Sequence, residues 1–413
     1  MSLSEELKWR GFINQTTFKD IQEIDKKKQI LYLGLDPSAD SLTIGNLASL
    51  IMVDHFRKSG HKVYLLIGGA TGLIGDPDGV SKKRELKDKA KINLYKQSIN
   101  IQLNKLFNNQ VTIVDNYDWF KEIKFVDFLR DVGYFIPLRT MLSREFVQSR
   151  INQENDGISY GEFSYSLIQG YDFFYLNQKY GVNLQLAGAD QWGNAIAGVD
   201  LVRRLNQNEV NVLTMPLVIN KTTGIKFGKS EEGAIWIDQK KTSITKFYQF
   251  WINIDDQNVI DYLKIYTFLT KEEINQLEKE HNKEPSLRIA QKKLASEITS
   301  YVHGGKSTLI AQNVTDYLTS RKDISLISED ELSELKKEVG SLQITNIIET
   351  SEVLINLGFA KSKSEARKLL QDGGIYLNNL RFNQEQIDPS KLSSKYVLIR
   401  KGKSFKDSAL IYI

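Results

Sequence analysis

The sequence predicts an α/β protein: a parallel sheet covered by helices over residues 1–235, a helical domain over 236–320, and a small α+β domain over 347–413. Three observations carry this. Ile30–Leu35 is a short apolar run between lysines and Asp36-Pro37, and Ile44, Leu47, Ala48, Ile51, Met52, His55 and Phe56 then recur at helical spacing before a second apolar run, Val63–Ile67. That order is a βαβ unit, which builds parallel sheets. From about residue 240 helical patterns dominate through Tyr317, with Tyr248, Phe250, Trp251, Tyr262, Leu263 and Phe268 as core. Last, Ser362-Lys363-Ser364-Glu365 is a capping box opening a helix that stops at Gly373-Gly374, followed by short strand patterns at Ile375–Leu377, Val397–Ile399 and Leu410–Ile413.

Composition narrows the chemistry. With 413 residues, two or three domains are expected. There is no cysteine, which excludes disulfides, thiol catalysis and Cys-ligated metals. The four histidines, His55, His61, His281 and His303, fall on no metal-ligand spacing, so no protein-bound metal is expected and any metal should arrive with a substrate as Mg²⁺. No apolar stretch approaches the roughly 18 residues of a membrane span, and the acidic N-terminus lacks an apolar signal core; a cytoplasmic location is expected. The net charge of +4 is uneven: residues 351–413 hold 11 Lys and Arg against 6 Asp and Glu, so the rest of the chain is close to neutral. A basic tail on a near-neutral body suits a nucleic-acid module attached to an enzyme, although a solvated surface with spare lysines would look the same.

Residues 1–28 read as a helix and a connection. The Asp36–Asn46 turn lies at the carboxyl end of the first βαβ strand, where open parallel sheets bind ligands, and offers Ser38, Ser41, Thr43 and Asn46 beside a helix N-terminus opened by Gly45. A capped turn of this kind is also common where nothing binds. The second strand runs into Gly68-Gly69-Ala70-Thr71-Gly72-Leu73-Ile74-Gly75-Asp76-Pro77, whose glycines mark a backbone bent close to something, with Asp76 placed to meet an ammonium or simply to form a turn. Val111–Val114 reads as a third strand, followed by Asn116-Tyr117-Asp118-Trp119. On the helix around Ser164–Phe174, Tyr165, Gln169 and Asp172 share one face between apolar neighbours, which favours a polar cluster in a pocket over a wet surface. Leu184–Leu186 starts another strand, and Gly188-Ala189-Asp190-Gln191 repeats the strand-to-helix turn, with Asp190 placed for ribose hydroxyls. Met215–Ile219 reads as the last apolar strand, ahead of Lys226-Phe227-Gly228-Lys229-Ser230, a phosphate-clamp candidate. Residues 321–346, rich in Ser, Asp, Glu and Lys, read as a linker.

Thr43-Ile44-Gly45-Asn46 and Lys226-Phe227-Gly228-Lys229-Ser230, in that order, resemble the HIGH and KMSKS signatures of class I aminoacyl-tRNA synthetases. With the intervening blocks, the chain resembles the bacterial-type tyrosyl-tRNA synthetases over nearly its whole length, and its tail resembles an S4-type RNA-binding domain. The resemblance implies a Rossmann-like catalytic domain, L-tyrosine, ATP and tRNA(Tyr) as substrates, no organic cofactor, and a homodimer. It implies that Tyr32 and Asp172 meet the tyrosine phenol, that Asp76, Tyr165 and Gln169 hold its ammonium, and that Gln191 lies near its carboxylate. ATP is expected at Gly34, Asp36, Ser38, Gly45, Gly188, Asp190, Leu217, Val218, Lys229 and Ser230. Catalytic roles are expected for Thr43, Asn46, Arg84, Lys226 and Lys229, and RNA contacts for Lys361, Lys363, Arg367 and Lys368. Thr43 and Asn46 depart from the family, which has two histidines there. That departure leaves open a synthetase-like RNA-binding protein without catalysis; a class I nucleotidyltransferase that uses no tRNA is a third reading.

Overall fold

The structure, a computed structural model, describes the chain except for residues 77–87, 143–144, 152–156, 225–226, 228, 231–232, 320, 393 and 403–406. It divides into two compact units. The first comprises Met1–Asp238 with Asp255–Pro285, the second Gln239–Ile254 with Ser286–Ile413.

The first unit is built on six strands, β1 (Gln15–Thr16), β2 (Ile30–Leu35), β3 (Lys62–Ile67), β4 (Thr112–Asp115), β5 (Leu184–Gly188) and β6 (Asn211–Met215), in the order β1-β6-β5-β2-β3-β4. All neighbours are parallel except β1, which adds antiparallel to the edge of β6. A parallel sheet is covered on both faces, which is why β2, β3 and β5 are near-continuous apolar runs rather than alternating ones. The chain winds from β2 towards β3 and β4 on one side, and from β5 to β6 on the other. The carboxyl ends of β2 and β5 are therefore the topological switch point of the sheet, where a crevice opens.

Two sequence expectations change here. The two-residue strand β1 is too short to leave a periodic signal. The last parallel strand is Asn211–Met215 rather than Met215–Ile219. Pro216 has no N–H to donate to a ladder, so pairing ends before it and Leu217 and Val218 continue as irregular backbone.

Helices Asp256–Tyr266 and Lys271–Lys283, expected in a separate helical domain, belong to the sheet unit. The buried Arg10 guanidinium donates to the carbonyls of Lys264, Thr267 and Leu269 at 2.7–2.9 Å, satisfying groups that a helix end leaves open. Tyr266 donates to the Ile44 carbonyl at 3.2 Å, and Phe227 packs against Tyr262 and Tyr266 with ring centroids 4.3 and 5.7 Å apart. These contacts lie far apart in sequence, so composition could not show them.

In the second unit the expected linker is structured. Residues 329–338 form a helix with a complete Ser328–Glu331 capping box, and Gly340–Gln343 is a strand running parallel to Ser408–Tyr412. Glu329, Asp330, Ser333, Lys336 and Lys337 mark the exposed side of that helix, while Leu335 is fully buried with Val314, Tyr317, Leu318, Ile324 and Leu410. Glu331 and Glu334 are buried beside it, Glu331 accepting from the Tyr317 hydroxyl at 3.1 Å. At the tail helix Lys363–Gln371, half of the expected capping box forms: Ser362 accepts from Glu365 N–H, but the Glu365 carboxylate accepts from Lys361 N–H. The Asn378-Asn379 turn has two positive φ values, 43° and 72°, which Asn tolerates, and joins Ile375–Leu377 to Leu380–Arg381.

Leu410 joins the last strand to a core made of earlier helices. Leu410→Ala should cost about 2–5 kcal/mol and speed amide exchange in Gly305–Leu318 and Glu329–Glu338. Unchanged exchange there would mean that the tail folds on its own.

Candidate active site at the sheet switch point

A cavity of about 390 Å³ opens at the carboxyl ends of β2 and β5. Its wall includes Tyr32, Gly34 and Asp36 from β2 and its turn, Gly45 and Asn46 from the Ile44–Lys58 helix, Tyr165, Gln169 and Asp172 from the Tyr160–Tyr180 helix, and Gly188, Asp190 and Gln191 after β5. Ser38, Asp76, Leu217, Val218 and Phe227 also line it. Residues spread from 32 to 227 thus meet because each lies at a strand's carboxyl end or on the first turns of the helix that follows, or on the helix packed across them.

Asp172 sits in the wall at 2% exposure with both carboxylate oxygens engaged: Trp119 Nε1 donates to one and Asn116 Nδ2 to the other, each at 3.0 Å. Burial pushes its carboxyl well above the ordinary carboxylate range, and the two donors oppose that shift. Asn116 also donates to Thr71 Oγ1 at 3.2 Å and accepts the Ala70 N–H at 2.6 Å. Because a backbone N–H can only donate, this last bond fixes which way the Asn116 amide faces. Thr71 then donates to Asp36 Oδ1 at 2.6 Å, and the Tyr165 hydroxyl donates to Asp36 Oδ2 at 2.8 Å. One polar chain therefore runs Trp119–Asp172–Asn116–Thr71–Asp36–Tyr165.

Tyr32 lies within electrostatic reach of Asp172, and its ring meets Phe173 edge-on at 5.3 Å. Its hydroxyl is buried and has no hydrogen-bond partner among the described residues; the same holds for Gln169 Oε1. Buried polar atoms left in this state cost stability, so a wall that carries two of them is shaped for a polar ligand. Opposite, Gln191 Nε2 donates to Asp76 at 2.6 Å while Asn194 Nδ2 donates to Gln191 Oε1 at 3.1 Å.

The glycine-rich loop is bent around the protein's own side chains. A Cβ on Gly68 would fall 2.1 Å from Asp36 Oδ1, and one on Gly69 would fall 2.2 Å from Asp115 Oδ1. At Gly188 a Cβ would stand 2.6 Å from Asp190 Oδ1. These glycines make room for the carboxylates of Asp36, Asp115 and Asp190.

Most of the expected residues come together at this cavity. Thr43 is set back from the wall: it is the N-cap of the Ile44–Lys58 helix, and its hydroxyl donates to Asn46 Oδ1 at 3.0 Å. Arg84 and Lys226 lie outside the described residues. The backbone of Lys229–Ser230 pairs antiparallel with Gly233–Ala234, and its side chains lie outside them as well. Asn116, Trp119, Thr71 and Asn194 also belong to the site, although none of them carries a site signal in the sequence on its own. Asn116 directly follows an apolar strand, a position where a buried amide signals a polar network, but its partner on another helix is visible only in the fold.

In the second unit Lys361, Arg367 and Lys368 are exposed on or beside the tail helix. Lys363 is different: its ammonium pairs with Glu349 at 3.4 Å and Glu352 at 3.0 Å, so its charge is locally neutralised. Among the described residues no group of three or more His, Asp or Glu side chains is placed to hold a metal ion, and no helix is long and apolar enough to cross a membrane.

Comparison with known proteins agrees with this geometry. Residues 25–318 match the family model of class I tRNA synthetases for tryptophan and tyrosine, and residues 331–406 match the C-terminal domain model of tyrosine–tRNA ligases. Tyrosine–tRNA ligases of Staphylococcus saprophyticus and Staphylococcus haemolyticus are 42% and 43% identical to the chain, each alignment covering 97% of both proteins. The crystal structure of a C-terminally truncated mitochondrial tyrosyl-tRNA synthetase from Aspergillus nidulans superposes with a TM-score of 0.69 at 30% identity, covering 77% of this chain and 94% of that one. A six-stranded sheet with its cavity at the switch point, two family models that together span most of the sequence, and near full-length identity above 40% lead to one conclusion: the chain belongs to the tyrosine–tRNA ligase family of class I tRNA synthetases.

Proposed function

We propose that the chain activates L-tyrosine with ATP and transfers the tyrosyl group to the 3′ end of tRNA(Tyr), with the residues of the switch-point cavity in the following roles. The observation that carries the reading is the unpartnered Tyr32 hydroxyl beside an Asp172 carboxylate already held by two donors. A phenol entering there donates to Asp172 and accepts from Tyr32. Phenylalanine would bury the Tyr32 hydroxyl without a partner and bring Asp172 no donor beyond Trp119 and Asn116. Selection of tyrosine over phenylalanine by this enzyme class is itself the standing example of that rule.

Asp76, Tyr165 and Gln169 hold the substrate ammonium, and Gln191, oriented by Asn194, lies by its carboxylate. Asp36 braces the tyrosine half to the nucleotide half by accepting from Thr71 and Tyr165. Gly34, Gly45, Gly188 and Asp190 face the adenosine, Leu217 and Val218 the adenine edge, and Ser38 and Asn46 the triphosphate, for which the family resemblance also assigns roles to Arg84, Lys226, Lys229 and Ser230. The tyrosine carboxylate attacks the α-phosphorus of ATP in line and pyrophosphate leaves. A hydroxyl of the terminal tRNA ribose then attacks the tyrosyl carbonyl and AMP leaves. No covalent bond to the enzyme is needed, so catalysis is positioning and neutralisation of charge on the phosphates. Mg²⁺ enters as part of the nucleotide substrate, a hard cation on phosphate oxygens.

We also assign a homodimer. Phe125, Val126, Tyr134, Leu138 and Tyr160 are 60–83% exposed on the short helices between 125 and 142 and at the start of the Tyr160–Tyr180 helix. Behind them Phe128 and Phe120 pack on Tyr171, next to Asp172 in the chain. Exposed apolar side chains at this density mark a protein interface, and a second copy is the occupant that the family implies. The tail binds RNA through Lys361, Arg367 and Lys368, with Lys363 a lesser contributor because of its two acidic partners. The site of action is the cytoplasm.

Tyrosine-dependent ATP–pyrophosphate exchange tests the activity. Asp172→Asn should lower the tyrosine-to-phenylalanine ratio of exchange rates by about ten- to a hundredfold, with KM for ATP nearly unchanged; an unchanged ratio would remove Asp172 from phenol recognition. Phe125→Asp with Val126→Asp should shift the protein to half its mass in sedimentation equilibrium, and a persistent dimer would place the interface elsewhere. Lys361→Glu, Arg367→Glu and Lys368→Glu together should leave exchange intact and reduce the log–log salt slope of tRNA binding by roughly 0.7–0.9 per lost phosphate contact. A full slope would exclude this face. Substitutions are the proper test because deleting the tail would also strip Leu410 from the helical core.

A further inference from the structure

Thr43 and Asn46 stand where the family has histidines, and the structure gives the two side chains different positions. Asn46 lines the cavity and Thr43 does not. Both polar hydrogens of Thr43 point at a single atom: its backbone N–H and its Oγ1–H each donate to Asn46 Oδ1 at 3.0 Å. The backbone N–H can only donate, so the atom facing Thr43 must be the amide oxygen. The Asn46 carboxamide is thereby fixed in one orientation, with Nδ2 on the side away from Thr43. Neither Nδ2 hydrogen has a protein partner among the described residues.

The backbone around Thr43 leaves this contact undisturbed. Thr43 forms an isolated antiparallel bridge with Trp236, but its ladder bonds come from its neighbours: Ile44 N–H donates to the Ile235 carbonyl at 3.1 Å and Ile237 N–H to the Leu42 carbonyl at 3.0 Å. The Thr43 carbonyl accepts from Leu47 N–H at 3.2 Å as the helix begins. Its own N–H is therefore left for Asn46. The bridge partner, Trp236, lies six residues after Ser230 in sequence, so a position shortly downstream of one signature pairs with Thr43 in the other.

We propose that Thr43 is a positioning residue: its hydroxyl and N–H lock the Asn46 carboxamide so that Nδ2 donates into the cavity, toward the triphosphate. Thr43 then replaces a histidine by acting through Asn46, with no contact of its own to the phosphates. This rests on the reading above that Asn46 faces the triphosphate, and one set of variants separates the two claims. A side chain free to rotate presents its donor only part of the time, so losing the lock slows the chemical step while tyrosine binding is unaffected.

The test is the rate of tyrosyl-adenylate formation and the affinity for tyrosine in Thr43→Val, Thr43→Ser, Asn46→Ala and the double variant Thr43→Val/Asn46→Ala. Thr43→Val keeps the shape and removes the hydroxyl; it should slow adenylate formation by about three- to tenfold, the worth of one neutral hydrogen bond, at unchanged tyrosine affinity. Thr43→Ser should restore the rate, because it restores the donor. In the Asn46→Ala background, Thr43→Val should cause no further loss, since the lock then has nothing to hold. A multiplicative loss in the double variant would overturn the proposal and place Thr43 on the phosphates directly. Slow Asn46→Ala with a full-rate Thr43→Val would overturn it while leaving Asn46 on the triphosphate. A full-rate Asn46→Ala would remove the reading of Asn46 itself. Loss of tyrosine affinity in Thr43→Val that serine does not rescue would show a role in the fold alone.

Discussion

A carboxylate at 2% exposure sets the terms for this site. Removing an ionised Asp from water costs several kcal/mol unless donors replace the solvent, so Asp172 demands partners on both oxygens. Trp119 and Asn116 supply them, and each has to be held in turn. Asn116 is pinned by the Ala70 N–H and by Thr71, Thr71 by Asp36, and Asp36 by Tyr165 on the same helix as Asp172. The network closes on itself across β2, β3, β4 and the Tyr160–Tyr180 helix. The loop after β3 is rich in glycine because two carboxylates, Asp36 of the network and Asp115 outside it, occupy the space a Cβ would need.

A network so fully paired makes its exceptions informative. Tyr32 and Gln169 each bury a polar atom with no partner among the described residues, and both face the cavity. Interiors avoid such atoms because each forfeits its hydration. On the proposed reading, the cost of two unpaired atoms becomes binding energy for a ligand that supplies a hydroxyl and an ammonium, which is what tyrosine carries. The part of the wall proposed for the nucleotide follows another logic. It is backbone, glycine and small polar groups at helix starts, which suits phosphates and a flat base.

The sheet was legible because its strands are buried on both faces: Ile30–Leu35 and Val63–Ile67 are continuous apolar runs, and the helix between them repeats every three or four residues. Signatures carried by adjacent residues were legible too, among them Tyr165, Gln169 and Asp172 on one helical face. Features resting on distant pairs were not. Trp119 and Asn116 reach Asp172 across more than fifty residues. The helix at 329–338 reads as a linker because its residues are mostly polar, yet Glu331 and Glu334 are buried along with Leu335, whose partner Leu410 lies at the other end of the tail. At Thr43 the resemblance implies a catalytic role, and only the geometry of its two bonds to one oxygen points to an orienting one.

The central claim is that the unpaired Tyr32 hydroxyl is reserved for the substrate phenol. Calorimetric binding of L-tyrosine and L-phenylalanine to the native protein and to Tyr32→Phe tests it directly. Removing the hydroxyl should weaken tyrosine, which loses a donor, and should leave phenylalanine unchanged or tighter, because no buried group is then left without a partner. Equal changes for both amino acids would contradict the account, since they would show that Tyr32 shapes the cavity without reading the phenol.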